Sequence, residues 1–232
     1  MNENTIRTVR IAAANALADV PEAQLKPEFL ADFNKALREY RTSLDSRADF
    51  RGGQFEKGHF FERLGQLHLA EKAYLKAIKL DNHFNMARLN LAHLYNRLRK
   101  NEQAISLFKT VIEQEPNYGM AYYSLGLLYA EENKLEFAGE YLAKAAELEG
   151  NPRVFYNLGI VYQKLEQPSQ AEKTYLKGLQ LDDNDFDLRY ALGILYFQQG
   201  EMGKAKPHIE ILLKVQPQNG QLNRMWKMIH HM

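Results

Sequence analysis

Small and hydrophobic residues recur along this chain in columns that repeat with nearly constant spacing. One column consists of alanines separated by 34, 34, 34, 33 and 34 residues: Ala36, Ala70, Ala104, Ala138, Ala171 and Ala205. A large side chain follows each alanine four residues later: Tyr40, Tyr74, Phe108, Leu142, Tyr175 and Ile209. A small residue precedes each of the last five alanines by twelve positions: Gly58, Ala92, Gly126, Gly159 and Gly193. An aromatic residue follows each small one three positions later: Phe61, Tyr95, Tyr129, Tyr162 and Tyr196. So many coinciding columns indicate a true internal repeat.

Within each copy, the apolar columns fall at spacings of three, four and seven residues, which is one stripe along an α-helix. We therefore predict two short helices per copy, with the small residue and the alanine allowing the two backbones to approach closely. Turn residues separate successive hairpins at 81–82, 116–117, 151–152, 182–184 and 217–219. The turns inside the hairpins are predicted at Gly65, Asn101, Asn133, Gln167-Pro168 and Gly200. One hairpin cannot bury its own stripe, so neighbouring hairpins must stack.

This pattern resembles the tetratricopeptide repeat, whose consensus has Leu-Gly-x-x-Tyr on the first helix and Ala-x-x-x-Phe on the second. Leu125-Gly126 with Tyr129 matches it closely. The resemblance implies an all-α fold, a right-handed α-solenoid of stacked hairpins, over residues 51–219. The five repeats are placed at 51–84, 85–118, 119–151, 152–185 and 186–219. In the first, Lys57 takes the usual Leu column and Gln54 the Trp column, so its first helix is expected to be partly exposed or to pack unusually.

The two ends of the chain differ from the repeats. Residues 220–232 carry Leu222, Met225, Trp226 and Ile229 at helical spacing and are predicted to form a capping helix. Residues 1–50 resemble a HEAT-like first helix followed by a second helix in the tetratricopeptide register. This layout is similar to the C-terminal region of some bacterial multihaem cytochrome c proteins. No CxxCH motif is present, so this segment carries no haem through that attachment.

Composition narrows the classes of function. Lys and Arg number 30 against 29 Asp and Glu, which gives no reason to expect nucleic acid or an anionic membrane as partner. The absence of cysteine excludes disulfides, thiolate metal sites and a Cys nucleophile within the chain. The sequence contains no run of about 18 apolar residues, the length that would predict a membrane span. Phosphate-binding, dinucleotide and nucleophile-elbow motifs are missing. We therefore predict no catalytic residues, metal or cofactor, and not an enzyme.

In the tetratricopeptide family, positions five, nine and twelve of each repeat lie on the first helix and face a concave groove. These positions are four and three residues apart, so their side chains do lie on one face of the helix. Asn90 and Asn157, at position six, are candidates for hydrogen bonds to a peptide backbone. The predicted ligand-binding residues are Phe55, His59, Leu89, Asn90, His93, Tyr123, Leu127, Tyr156, Asn157, Ile160, Tyr190, Ile194 and Phe197. His59 and His93 share a column, but helices packed about 8–10 Å apart separate them too widely to bind one metal ion.

The predicted function is a protein-interaction scaffold that binds a peptide or protein segment in this groove, which is apolar toward its C-terminal half. An alternative interpretation of the tyrosines is that they pack between adjacent hairpins. A further alternative is a structural or assembly role, in which a homodimer mate or the rest of a longer polypeptide covers the patch. The compartment is left open: cytoplasmic by default, and periplasmic if the chain is an excised module. The family's carboxylate clamp is disfavoured, because its Lys and Asn positions are not matched.

Overall fold

The computed structural model describes residues 3–20 and 22–230, and every regular element in those ranges is helical. A short 3₁₀ helix, Glu22–Gln24, lies between the first two α-helices. The α-helices are α1 (Glu3–Ala16), α2 (Pro27–Asp45), α3 (Arg51–Arg63), α4 (Leu67–Leu80), α5 (Asn85–Arg97), α6 (Asn101–Gln114), α7 (Gly119–Glu131), α8 (Leu135–Leu148), α9 (Pro152–Lys164), α10 (Pro168–Leu181), α11 (Phe186–Gln198), α12 (Met202–Val215) and α13 (Gly220–His230). The chain divides into two compact units, residues 1–114 and 115–232.

The N-terminal unit contains α1 to α6, and each helix up to α6 packs against the next one in sequence. The alanine column lies at the centre of these contacts, since Ala70 and Ala104 are fully buried. The large side chains that follow them, Tyr74 and Phe108, are buried as well. These residues confirm the prediction that the second helix of each pair presents its alanine and its large residue inward.

The small-residue column permits close helix contact through a specific pair of side chains. A β-carbon added to Gly159 on α9 would lie 2.1 Å from Cε1 of the Tyr175 ring on α10. Real β-carbons do not approach a ring so closely, so the ring occupies the space that glycine leaves. The same arrangement occurs in the N-terminal unit, where a β-carbon at Gly58 would lie 2.5 Å from the Tyr74 ring.

The turn inside each repeated hairpin is made by one residue in the left-handed region of backbone conformation. These residues are Gly65, Arg99, Asn133, Glu166 and Gly200, with φ between 57° and 74°. The amide of the residue after Glu166, that of Gln167, donates to the carbonyl of Tyr162, which is the Schellman pattern that ends a helix. The predicted turn at Asn101 therefore lies two residues after the observed one, and the predicted turn at Gln167-Pro168 begins one residue after it. The sequence did not indicate Arg99 and Glu166, because a left-handed backbone is disfavoured for both residue types.

The C-terminal unit contains α7 to α13 and ends in the predicted capping helix. Leu222 and Met225 of α13 are buried, and Met225 belongs to the same core cluster as Tyr175 and Ile209. Trp226 and Ile229 are partly buried against that cluster. The helix thus covers the apolar side of α12, while residues 231 and 232 lie outside the described ranges.

The first tetratricopeptide-like helix, α3, accommodates its two unusual residues by polar contacts. Gln54 is buried, and its side-chain amide donates to the carbonyl of Ala48 at 2.5 Å. Lys57 is half-buried and forms a salt bridge with Asp45 of α2. The helix is therefore packed against α2 through polar partners in the two columns that usually carry Trp and Leu.

Candidate functional site

The first helices of the C-terminal unit, α7, α9 and α11, carry the apolar residues predicted to face a ligand. Helix α9 contacts both α7 and α11, so the three lie in sequence order. Each of these side chains is half-buried. We call this set the C-terminal apolar surface: Tyr123, Leu127, Tyr156, Ile160, Tyr190, Ile194 and Phe197.

The inner side of this surface rests on the core. Tyr156, Ile194 and Phe197 are packed against the buried cluster built from α10, α11, α12 and α13. Their positions are fixed by the buried residues beneath them, among them Leu192 and Tyr196. A half-buried side chain held in this way keeps its remaining exposed area in one place, which reduces the conformational entropy lost on binding.

Two hydrogen bonds tie the polar atoms of this region together. The side-chain amide of Asn157 donates to the Tyr123 hydroxyl at 2.7 Å, which links α9 to α7. The Tyr175 hydroxyl donates to Oε1 of Gln163 at 2.7 Å, which links α10 to α9. Burial raises the pKa of Tyr175 far above its ordinary value, because the phenolate would be desolvated.

Charged and aromatic contacts frame the N-terminal ends of α9 and α11. Arg153 forms an exposed salt bridge of 2.7 Å with Asp187, and its guanidinium lies 5.1 Å from the centre of the Tyr156 ring. Tyr190 is stacked on Phe186, with ring centres 6.1 Å apart and planes at 17°. Tyr156 and Tyr190 thus contact side chains of their own helices as well as solvent.

The corresponding residues in the N-terminal unit form a different environment. Phe55 packs edge-on against Phe84, with ring centres 5.4 Å apart, and Leu89 is buried with 7% of its surface exposed. Leu89 therefore presents almost no surface to a ligand. His59 and His93 are exposed and line a polar cavity of about 440 Å³.

The walls of that polar cavity are largely engaged with one another. Arg97 forms a salt bridge with Glu62 at 2.5 Å, and the Tyr74 hydroxyl donates to the same carboxylate at 2.9 Å. Asn90, which also lines this cavity, lies close to the Tyr74 hydroxyl. The His93 ring packs against Phe108, with ring centres 5.2 Å apart, and desolvation lowers its pKa from the ordinary value.

The sequence did not single out Asp19 and Arg63, which complete this cavity. The Arg63 guanidinium donates to both carboxylate oxygens of Asp19 at 2.9 Å. The pair is 44 residues apart in the chain, so no local spacing could have revealed it. Among the described residues, no group of three or more His, Asp or Glu side chains is placed to hold a metal ion.

Nothing in the described part of the chain provides a transmembrane segment: no helix there combines the length and the apolar character that a span requires.

Comparison with known proteins points to one family. Models of the tetratricopeptide repeat match residues 53–84, 89–152 and 152–185, which together exceed half of the chain. A search of curated protein sequences found no significant match.

Solved structures show the same fold. YrrB, described as a TPR protein with an unusual peptide-binding site, is 23% identical with a TM-score of 0.62, over 69% of this chain and 84% of YrrB. PilF of Pseudomonas aeruginosa is 20% identical with a TM-score of 0.65, over 80% of this chain and 86% of PilF. MamA of Desulfovibrio magneticus RS-1 is 18% identical with a TM-score of 0.63, over 73% of this chain and 97% of MamA. The chain belongs to the tetratricopeptide-repeat family.

Proposed function

We propose that this chain is an interaction scaffold whose C-terminal apolar surface binds an extended or helical segment of a partner protein. The observation that supports this most strongly is the identity of position nine on three successive first helices: Leu127, Ile160 and Ile194. The family usually has a polar residue there. Each of the three is half-buried rather than buried, so part of each side chain is available for contact.

The chemistry of the surface suits apolar anchors together with a peptide backbone. Aliphatic side chains on α7, α9 and α11 would bury apolar groups of the partner, and tyrosines add flat contact area at low entropic cost. The Asn157 amide donates to Tyr123, and its carbonyl oxygen is left to accept a hydrogen bond from a backbone N–H. The Tyr123 hydroxyl can in turn donate its own proton.

Family membership agrees with this proposal at a coarser level. Tetratricopeptide-repeat proteins bind proteins or peptides, and the YrrB structure is described by its peptide-binding site. At 23% identity that site belongs to YrrB, and only the fold is shared. The proposal for this chain therefore depends on its own half-buried apolar residues.

The test is selection of binding peptides from a displayed random library. The wild-type chain would be the target, and the Leu127→Asp/Ile160→Asp variant would serve for counter-selection. The matched control is Leu176→Asp/Leu181→Asp, which places the same two charges at exposed apolar positions on α10. We expect the selected peptides to share apolar anchors. They should bind the control with the same affinity as wild type, and they should not bind Leu127→Asp/Ile160→Asp. Peptides that bind all three proteins equally would contradict the proposal.

A second candidate function is assembly through the second helices. Ile211 and Val215 on α12 are exposed apolar residues, 38% and 66% accessible. Contact with another copy, or with the rest of a longer polypeptide, would cover them. Light scattering of wild type and of Ile211→Asp/Val215→Asp would test self-association. A wild-type dimer that becomes monomeric in the variant supports this function, and a monomeric wild type opposes self-association.

A further inference from the structure

A second cavity, of about 630 Å³, lies within the N-terminal unit, and its lining contains none of the predicted ligand-binding residues. It is an open cavity lined by residues 18–20 after α1, by α2, and by the end of α3 with its following turn. Its apolar lining includes Val20, Phe33, Leu37 and Leu64. The volume falls in the range of roughly 300–1,000 Å³ that is typical of sites for small molecules.

One wall of this cavity is closed by a fixed arginine. Arg63 of α3 donates to both oxygens of Asp19 at 2.9 Å and to the side-chain oxygen of Asn15 at 3.0 Å. These contacts tie the end of α1 and its connection to α3. The arginine also holds the pKa of the Asp19 carboxyl below its ordinary value, through the hydrogen bond it donates. Both groups are therefore charged and matched to each other.

Two further arginines on α2, Arg38 and Arg41, line the same cavity without an acidic partner. In the described part of the chain neither forms a salt bridge, and the Arg41 guanidinium lies 5.3 Å from the centre of the Phe61 ring. Of the four carboxylates on α2, Glu39 is paired with Arg10 and Asp45 with Lys57. The other two, Glu28 and Asp32, are exposed and lie outside the lining of the cavity. Among the residues whose side chains the structure describes, three arginines and one carboxylate line the cavity, which is an excess of two positive charges.

We infer that this cavity binds a small amphipathic anion, a carboxylate attached to an apolar body. The apolar lining would bury the body of such a molecule, and burial of that surface drives binding. The planar guanidinium groups of Arg38 and Arg41 match a carboxylate in charge and in geometry. Arg38 and Arg41 are exposed, so water solvates them when the cavity holds an uncharged molecule, and such a molecule gains only the apolar contacts. This inference is independent of the C-terminal apolar surface, because all of these residues belong to the N-terminal unit.

The experiment is calorimetric titration of the full chain with decanoate, and with decanol as the uncharged probe of the same chain length. We expect decanoate to bind, and decanol to bind at least tenfold more weakly. Arg38→Gln/Arg41→Gln should weaken decanoate at least tenfold, and Arg38→Lys/Arg41→Lys should restore part of that loss. The matched control is Arg224→Gln/Lys227→Gln, which removes two exposed positive charges from α13 and should leave the affinity unchanged.

Three results would overturn the inference. These are no binding of decanoate below its micelle concentration, equal affinity for the acid and the alcohol, or equal affinity in wild type and Arg38→Gln/Arg41→Gln. Circular dichroism of each variant would establish that it is folded before titration. The Leu127→Asp/Ile160→Asp variant should bind decanoate as wild type does, so a failure of the proposed peptide surface would not affect this result.

Discussion

The side-chain amide of Asn157 donates a hydrogen bond of 2.7 Å to the hydroxyl of Tyr123, which lies 34 residues earlier in the chain. The bond connects position five of one repeat to position six of the next, and so joins the first helices of neighbouring hairpins. It fixes the ring of Tyr123 at the C-terminal apolar surface. The same contact explains why a residue predicted to bind a ligand also contributes to the packing of the repeats.

This hydrogen bond predicts an energetic coupling between the two residues. Tyr123→Phe and Asn157→Ala should each destabilise the protein, and the double variant should lose less than the sum of the two. We expect a coupling of about 0.5–1.5 kcal/mol, the usual net contribution of a hydrogen bond. Urea denaturation of the four proteins measures it. Strict additivity would show that the two side chains do not interact in solution.

The close contact between Gly159 and Tyr175 predicts that alanine is not tolerated there. In Gly159→Ala the new methyl group would overlap the buried ring, and overpacking of this kind typically costs about 1–3 kcal/mol. Gly139→Ala is the matched control, since a β-carbon there would lie 3.7 Å from its nearest neighbour, an ordinary contact. That change should stabilise α8 by about 0.5–1 kcal/mol. Thermal unfolding of both variants compares them, and equal shifts in Tm would refute the argument.

The left-handed backbone of Glu166 predicts a stabilising substitution. This residue has φ of 58°, is exposed, and forms no salt bridge in the described ranges. Glu166→Gly should therefore raise the free energy of unfolding by about 0.5–1 kcal/mol, because the relief of strain exceeds the added entropy of the unfolded chain. Gly200→Ala, at the equivalent turn with φ of 74°, should destabilise the protein instead. Chemical denaturation gives both values, and a destabilised Glu166→Gly would contradict this account.

His208 on α12 predicts a dependence of stability on pH. Desolvation by burial, together with the nearby Arg189, lowers its pKa below the ordinary 6.5, and Asp183 opposes this only in part. Its Nδ1 is buried without a hydrogen-bond partner in the described residues. Because the unfolded chain takes up this proton more readily, stability should fall as pH drops below about 6.5.

The measurement for His208 is the free energy of unfolding at pH 7 and pH 5. His208→Gln should lose less stability between these values than wild type does. His68→Gln is the control, since His68 is exposed on α4. An unchanged pH dependence in His208→Gln would show that this histidine is not the group responsible.

The repeat itself could be predicted from the sequence because each column has a local physical cause. Alanine and glycine mark close helix contacts, and the large residue four positions after each alanine fills the core. The four apolar residues of 220–232 predicted a helix in the same way, and α13 occupies Gly220–His230. The burial of Leu89 could not be predicted, because Leu89 shares a column with half-buried tyrosines and only the packing of its neighbours buries it.

Other features escaped the sequence because they depend on contacts between distant segments. Arg99 and Glu166 adopt left-handed conformations that their residue types disfavour, and these conformations form the turn between the two packed helices of one hairpin. The pairing of Arg63 with Asp19 brings the end of α3 to the connection after α1. The cavity with Arg38 and Arg41 is formed where residues after α1, helix α2 and the end of α3 meet. No sequence motif could therefore predict it.

The most direct test of the central claim is the dissociation constant of a selected apolar-anchor peptide, measured by fluorescence anisotropy. Removing two apolar contacts of about 1.5–3 kcal/mol each should weaken binding at least tenfold in Leu127→Asp/Ile160→Asp. The Leu176→Asp/Leu181→Asp control should bind as wild type does. This result is the one we predict for a partner segment on the C-terminal apolar surface. An unchanged dissociation constant in folded Leu127→Asp/Ile160→Asp would contradict the account.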